Sequence, residues 1–254
     1  MEALGYKNNK TPFRQLAQRL SPEALAGHRT NIAPLLFGLA NFLPADAARD
    51  AYVKRLWSSW WKLRPDFAER VLPAGAWRLS GTRPANHPHR RLGAAAALLK
   101  KHPTLLEKIT GAIETDGDPA KLFLQVRDEY WSRHFTLGGK TQAKPVELIG
   151  AERAAQIVAN VALPFVAAMA DSDGDDRLAA KVRARYAALP AREVNGLLRL
   201  AAQQFFADNT DTRRYLVTER RQQGMMQLFL DFCVNDKSGY RLCRFPELAA
   251  AWPV

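Results

Sequence analysis

The chain has 254 residues, of which 47% are apolar and 24% are charged. These proportions are ordinary for a globular protein with a hydrophobic core, so disorder is not the default expectation. The 37 Lys and Arg residues outnumber the 25 Asp and Glu residues, which gives a net charge of +12. A surplus of this sign favours polyanionic partners such as nucleic acids, although many basic proteins have no such partner.

Cysteine use and the N-terminus both predict a cytoplasmic protein. Cys233 and Cys243 are the only cysteines, which is too few for the disulfide framework of a small secreted domain. The first residues contain no apolar stretch of signal-peptide length. The uncharged stretch from Ala154 to Ala170 is shorter than a usual membrane span. We therefore predict a helix buried in the core there, and no association with a membrane.

Helix-start signals occur near the N-terminus. Thr11-Pro12 and Ser21-Pro22 each place a capping hydroxyl before a proline. Proline is favoured at the first position of a helix, directly after the capping residue. The sequence therefore predicts one helix that begins at Pro12 and another that begins at Pro22.

The segment from Ala45 to Leu63 carries an apolar stripe at helical spacing that includes Trp57, Trp60 and Trp61. Core packing is the ordinary role of tryptophans that are crowded onto one helix. Exposed aromatic rings beside cations can instead form a platform on which bases stack. The pattern favours packing and leaves the stacking platform as the alternative.

Helical patterns continue towards the C-terminus with one exception. After Gly150 we predict helices over Ala151–Ala170, Asp176–Leu189, Arg192–Phe206 and Thr212–Cys233. Between Arg133 and Val146, short strand-like pieces flank a Gly-Gly pair that suits a hairpin turn. The sequence therefore predicts a mainly all-α, multihelical single domain over residues 1–254, with one small β-hairpin allowed near residues 133–146.

Three local patterns suggest a cofactor or a metal ion, and each lacks a required residue. Gly139-Lys140-Thr141 resembles the end of a P-loop, but the earlier glycine is missing. Asp171, Asp173 and Asp175 alternate as in a calcium loop that then lacks its glycine and its last glutamate. The two cysteines have no further metal ligands close in sequence. We therefore predict no cofactor and no metal site.

Catalytic motifs that fix a nucleophile beside a base are absent from the sequence. The sequence therefore gives no catalytic residue. It leaves the question of an enzyme open and favours none for this chain alone.

The most unusual segment runs from Arg83 to Arg91 and combines basic side chains, two prolines and a helix start. Free N–H groups at a helix N-terminus, with guanidinium groups beside them, make a good anion site. The alternative is structural, with Asn86 as the helix cap and Arg83 paired with a buried carboxylate. The candidate phosphate-binding residues are Arg83, Asn86, His87, His89, Arg90 and Arg91.

A secondary basic face lies near one predicted helix and consists of Arg213, Arg214, Arg220 and Arg221. The ordinary role of such a face is contact with solvent. Contact with phosphates is the alternative, and the sequence favours the ordinary role.

Five short phrases follow one another along the chain. They are Glu2-Ala-Leu-Gly-Tyr6 with Asn8 or Asn9 and Phe13, Arg83-Pro-Ala-Asn-His-Pro-His-Arg-Arg-Leu92, Ile149-Gly-Ala-Glu-Arg153, Asn160-Val-Ala-Leu-Pro-Phe165, and Gln223-Gly-Met-Met-Gln-Leu228 before Cys233. Together they resemble a bacterial family catalogued as domain of unknown function 2851. The resemblance covers essentially the whole chain. It implies no activity, because the family has no established one.

Longer members of that family resemble this chain only in their later half. Their earlier half is similar to the core of restriction-type nucleases, and this sequence holds no counterpart of it. The resemblance therefore implies a helical module that corresponds to the C-terminal half of those longer members. The protein partner that it implies is a nuclease-like half or subunit.

Two hypotheses about function follow. The first is a nucleic-acid-associated helical module without its own catalytic centre, which accounts for the net charge and the segment from Arg83 to Arg91. The alternative is a structural or protein-interaction domain whose basic charge is incidental. Salt-dependent binding of nucleic acid distinguishes the two, because phosphate contacts weaken as salt is added.

Overall fold

The computed structural model describes residues 1–43, 50–206, 214–235 and 243–251. Within these ranges the chain forms helices and loops without a β-strand, and one isolated bridge joins Pro190 to Thr218. The prediction of an all-α fold is confirmed. The α-helices are α1 Tyr6–Gln18, α2 Pro22–Gly27, α3 Ile32–Leu39, α4 Ala51–Phe67, α5 Pro88–Lys101, α6 Leu105–Glu114, α7 Ala120–Leu124, α8 Glu129–Arg133, α9 Ala151–Ile157, α10 Leu163–Asp173, α11 Asp176–Ala187, α12 Gly196–Phe206, α13 Glu219–Phe229 and α14 Phe245–Ala250.

The chain divides into two compact units, Met1–Pro164 and Phe165–Val254. The segment from Arg83 to Arg91 belongs to the first unit, and the secondary basic face belongs to the second. A single domain over residues 1–254 stays a prediction.

Helix α3 forms the centre of the first unit and packs against α4 and α5. Two glycines allow this close approach, because a Cβ atom at Gly38 would overlap the ring of Trp60 and one at Gly93 would overlap the ring of Trp131. The ring of Trp131 is fully buried and stacks on Phe37 of α3, with centroids 5.3 Å apart. The core of this unit is therefore built on aromatic rings that lie flat against glycine backbone.

Helix α1 differs from its prediction, because it begins at Tyr6 and holds Pro12 inside. The helix is kinked at Asn9, whose backbone is not helical. The Asn9 side chain accepts a hydrogen bond from the Arg78 N–H at 2.9 Å and donates one to the Arg78 carbonyl at 3.0 Å. The proline is tolerated because the kink interrupts the helix one turn before it. The start at Pro22 is confirmed, with the Ser21 hydroxyl accepting from Ala24 N–H.

The hairpin allowed near residues 133–146 is absent, and a loop without strands takes its place. Two neighbouring N–H groups of this loop donate to side chains instead of to a strand partner. The Leu137 N–H donates to His89 Nδ1 at 3.2 Å, and the Gly138 N–H donates to the Tyr130 hydroxyl at 2.8 Å. With these backbone groups already satisfied, a β-ladder has little to gain here.

The stretch Ala151–Asp173 joins α9 and α10 through a π-helical turn, Val158–Ala162. Judged by length and composition alone, it is the one helix in the described part of the chain that is long and apolar enough to cross a membrane. A single helix of this kind carries little weight, since the core helix of a soluble protein meets the same criteria. Its Ala154, Ile157 and Leu163 side chains are buried, as predicted for a core helix, whereas Val161 and Phe165 are exposed.

The second unit is organised around α12 and α13, whose Leu198, Ala202 and neighbouring residues form a small core. Helix α12 begins at Gly196 instead of Arg192, because the Asn195 side chain caps it by accepting from the Leu198 N–H at 2.8 Å. Helix α13 begins at Glu219 after a cap by Thr218. Its predicted start at Thr212 lies outside the described residues.

Candidate functional site

The predicted anion segment lies at the start of α5, and its two adjacent arginines point into the protein. Arg90 is 1% exposed and donates to the carbonyl oxygens of Val146 at 2.8 Å and of Trp131 and Glu147 at 3.1 Å. Burial, followed by the charge of Arg91, lowers the pKa of Arg90 to about 10. Its N–H groups therefore donate to backbone carbonyls from distant parts of the first unit. They are buried there, and an external phosphate does not reach them.

Arg91 is 5% exposed and is also occupied internally. Its guanidinium donates to the Leu148 carbonyl at 2.7 Å, to Asn86 Oδ1 at 2.6 Å and to the Tyr6 hydroxyl at 3.0 Å. Burial lowers the pKa of Arg91. The Asn86 amide thus holds an arginine and does not cap the helix, which differs from the structural alternative considered for it.

The ring of Tyr6 receives two cations. The Arg91 guanidinium lies 4.8 Å from its centroid and the Arg153 guanidinium lies 3.7 Å from it. Tyr6 has a φ of 47°, which lies in the left-handed region that is unfavourable for residues other than glycine. These cation–π contacts offset that cost. Three of the phrases found in the sequence, ending at Tyr6, Leu92 and Arg153, therefore meet in one interior cluster.

The two histidines of the segment are structural acceptors. His87 Nδ1 accepts from the His89 N–H at 3.3 Å and so caps α5. The two imidazole rings lie 4.6 Å apart. Burial, followed by the charge of His87, lowers the pKa of His89 to about 3, so this ring is neutral at ordinary pH. A neutral acceptor ring does not attract a phosphate.

Arg83 is exposed, and no carboxylate of the described residues forms an ion pair with it. The structure therefore brings the other predicted residues, Asn86 to Arg91, together at the start of α5. The Arg83 carbonyl accepts from the Asn86 N–H at 2.7 Å, but its side chain is exposed. The arrangement differs from the expected surface site, because the backbone carbonyls of residues 146–148 face the two arginines from inside.

The secondary basic face is exposed where it is described. Arg214, Arg220 and Arg221 are exposed side chains of the second unit, and Arg213 lies outside the described residues. In the same unit, Arg192 forms a largely buried ion pair of 3.0 Å with Glu219. This geometry fits the ordinary role, which is contact with solvent.

A basic and aromatic surface on α4 has the exposure that the predicted segment lacks. One side of α4 is buried through residues such as Val53, Leu56, Trp60 and Leu63. The opposite side, which we call the α4 face, consists of Lys54, Arg55, Trp57, Trp61, Lys62 and Arg64. Its cations and Trp61 are exposed, and Trp57 is half-buried. Asp66 is the only acidic residue of the helix, so the α4 face is strongly positive.

On the α4 face one cation lies over a tryptophan ring, and a second tryptophan ring lies next to the first at a tilt of 57°. The Arg64 guanidinium lies 4.6 Å from the Trp61 centroid, and the Trp57 and Trp61 rings are 5.5 Å apart. Trp61 remains 40% exposed. The packing prediction is therefore right for Trp60 and wrong for Trp61. A helical projection separates the two, because Trp61 lies on the side of Lys54 and Trp60 lies on the side of Leu56.

Two clefts flank the α4 face. One has a volume of about 240 Å³ and includes Arg55, Lys100 and Asp128 in its lining. The other has a volume of about 320 Å³ and lies beside Trp61 and Arg64. The face therefore adjoins concave surface on either side of its helix.

Among the described residues, no cluster of three or more His, Cys, Asp or Glu side chains could hold a metal ion. The α4 face supplies hydrogen-bond donors, positive charge and aromatic surface. These are the groups that proteins use to bind nucleic acid.

Comparison with known proteins gives one family. The model of a family described as protein of unknown function, DUF2851, matches residues 1–195. The resemblance over the whole chain is thereby corrected, because the phrase from Gln223 to Leu228 lies beyond the match. Neither the curated proteins nor the solved structures give a match.

Proposed function

This chain belongs to the DUF2851 family of proteins of unknown function, and we propose that it binds single-stranded nucleic acid through the α4 face. One observation carries the proposal. Trp61 is exposed on a helix whose opposite side is buried, and it lies between the Arg64 guanidinium and the half-buried ring of Trp57. Exposure of this aromatic surface to water is unfavourable, and a bound partner that covers it would remove that cost.

The chemistry of the α4 face fits a strand whose bases are accessible. An exposed indole offers a surface on which a base stacks, and stacking tolerates any base sequence. Lys54, Arg55 and Lys62 lie on the same exposed side of α4 and supply charges for the phosphates. A duplex keeps its bases stacked on one another, so Trp61 favours a single strand over a duplex.

The charge of the whole chain supports the same partner. With a net charge of +12, the chain attracts a polyanion before contact and accelerates its association. The buried Arg90 and Arg91 contribute to that long-range field, but their donors serve the fold. The proposal therefore assigns direct phosphate contact to α4 and not to the segment from Arg83 to Arg91.

The test is fluorescence anisotropy of a labelled single strand of about 16 nucleotides at about 50 mM salt. We expect wild-type protein to bind it more tightly than a duplex of equal length. Trp61→Ala should weaken the single strand by about tenfold, because a base loses its stacking partner. Tyr215→Ala is the matched control, since it removes an aromatic residue that is 46% exposed in the second unit. Equal affinities of Trp61→Ala and wild type, or no binding by wild type, would overturn the proposal.

A further inference from the structure

The cleft beside Trp61 gives the proposed single-strand surface a second element. We propose that this cleft accepts one unstacked nucleobase of the bound strand, an inference that rests on the proposed function. Arg64 and Trp61 belong both to the α4 face and to the wall of the cleft. A strand that follows the α4 face therefore passes the mouth of the cleft.

The size and lining of the cleft suit a base. Its volume of about 320 Å³ lies at the small end of ligand sites. Its lining is mixed, with polar groups from residues that include Asn41 and Arg64 and apolar surface from residues that include Leu43, Trp60, Ala68 and Val71. A nucleobase has flat apolar faces and a polar edge, and burying those faces against such a lining is favourable.

The polar edge of the base would meet Asn41, which also lines the cleft. Asn41 ends α3 in the left-handed conformation, with a φ of 58°, and its N–H donates to the Gly38 carbonyl at 3.0 Å. The next N–H, that of Phe42, donates to the Phe37 carbonyl at 3.0 Å. These bonds close the helix end in the manner of a C-terminal cap and fix where the side chain starts.

The Asn41 side chain is exposed, and no described residue forms a hydrogen bond with its amide. A primary amide both donates and accepts, so it can pair with the donor and acceptor pattern of a base edge. A phosphate offers only acceptor oxygens, so it would leave the carbonyl oxygen of this amide without a donor. The amide together with the apolar part of the lining therefore favours a base as the occupant.

Asn41→Gly tests this contact without disturbing the fold. Glycine adopts a positive φ freely, so the helix end is kept while the amide is lost. Ala68→Leu is a second variant, which fills the cleft from an exposed position. Thermal unfolding of both variants checks that they are folded.

Affinity is measured by anisotropy for a single strand of about 16 nucleotides and for an abasic strand of the same length. We expect each variant to weaken the base-bearing strand by at least about fivefold and to leave the abasic strand unchanged. Wild-type affinity of Asn41→Gly for the base-bearing strand would overturn the inference. If Trp61→Ala weakens binding and Asn41→Gly does not, only the cleft assignment fails. If wild type binds no strand, the proposed function fails with it.

Discussion

Arg90 Nη2 donates a hydrogen bond of 2.8 Å to the carbonyl oxygen of Val146. The contact joins the first turn of α5 to the end of the loop that follows α8. The same guanidinium also bonds the carbonyls of Trp131 and Glu147. Arg90 thereby satisfies several buried backbone acceptors with one side chain, which makes it a structural clamp of the first unit.

Arg90→Lys tests that clamp. A lysine ammonium is a point donor and cannot reproduce the planar fork of a guanidinium, so buried carbonyls lose their partners. We expect urea unfolding to show a loss of about 2–3 kcal/mol in the free energy of unfolding. Arg83→Lys, at an exposed position of the same segment, should change it by less than about 0.5 kcal/mol. Equal losses in the two variants would refute the clamp.

His89 makes stability depend on pH. Its pKa in the folded protein is about 3, against an ordinary value of 6.5. Between these values the unfolded chain holds the extra proton, so the stability that is present above pH 6.5 declines as the pH falls. The decline approaches about 1.4 kcal/mol per pH unit.

His89→Asn removes this titration and keeps an acceptor for the Leu137 N–H. The measurement is urea unfolding of both proteins from about pH 7 to about pH 4. We expect the wild-type free energy of unfolding to fall more steeply than that of the variant. Parallel pH profiles would show that His89 is not held neutral.

Gly93→Ala probes the contact between α5 and Trp131. The new Cβ would overlap the indole ring, so we expect a loss of about 1–3 kcal/mol in thermal or urea unfolding. Gly111→Ala is the matched control in α6, where a Cβ meets nothing within 4 Å. That control should gain about 0.5–1 kcal/mol from helix propensity. A stable Gly93→Ala protein would mean that the ring can move away.

Asn9→Asp tests the bond between the kink of α1 and Arg78. The carboxylate keeps the acceptor for the Arg78 N–H but cannot donate to the Arg78 carbonyl. We expect a loss of about 1–3 kcal/mol by urea unfolding at pH 7. Asn8→Asp adds the same charge one residue earlier, at an exposed position, and should be nearly neutral. If both variants lose the same stability, charge and not the lost donor is responsible.

Local signals were enough to predict the class of the fold. The Ser21 cap and the helix start within the segment from Arg83 to Arg91 depend on neighbours in sequence, and both helices form. The predicted start of α1 was wrong, because the kink at Asn9 depends on a hydrogen bond with Arg78, a residue far along the chain. The hairpin failed for the same reason, since His89 takes a backbone donor of the loop.

The candidate site was harder to predict, because exposure decides it. The sequence groups Arg90 and Arg91 with Arg83, and only the fold shows that the carbonyls of residues 146–148 draw the first two inward. The α4 face could have been predicted from the sequence. Trp61 shares one side of the helix with Lys54, whereas Trp60 lies on the buried side with Leu56. The prediction treated the tryptophans as one group, so it missed that Trp60 is buried and Trp61 is exposed.

The salt dependence of single-strand affinity tests the role of the α4 face most directly. The comparison is between wild type, a Lys54→Gln and Lys62→Gln double variant, and an Arg220→Gln and Arg221→Gln double variant of equal charge. Removing two phosphate contacts should lower the slope of log K against log salt by about 1.4 for the α4 variant. The Arg220 and Arg221 variant should keep the wild-type slope. An α4 variant with the wild-type slope, or equal changes in both variants, would contradict the account.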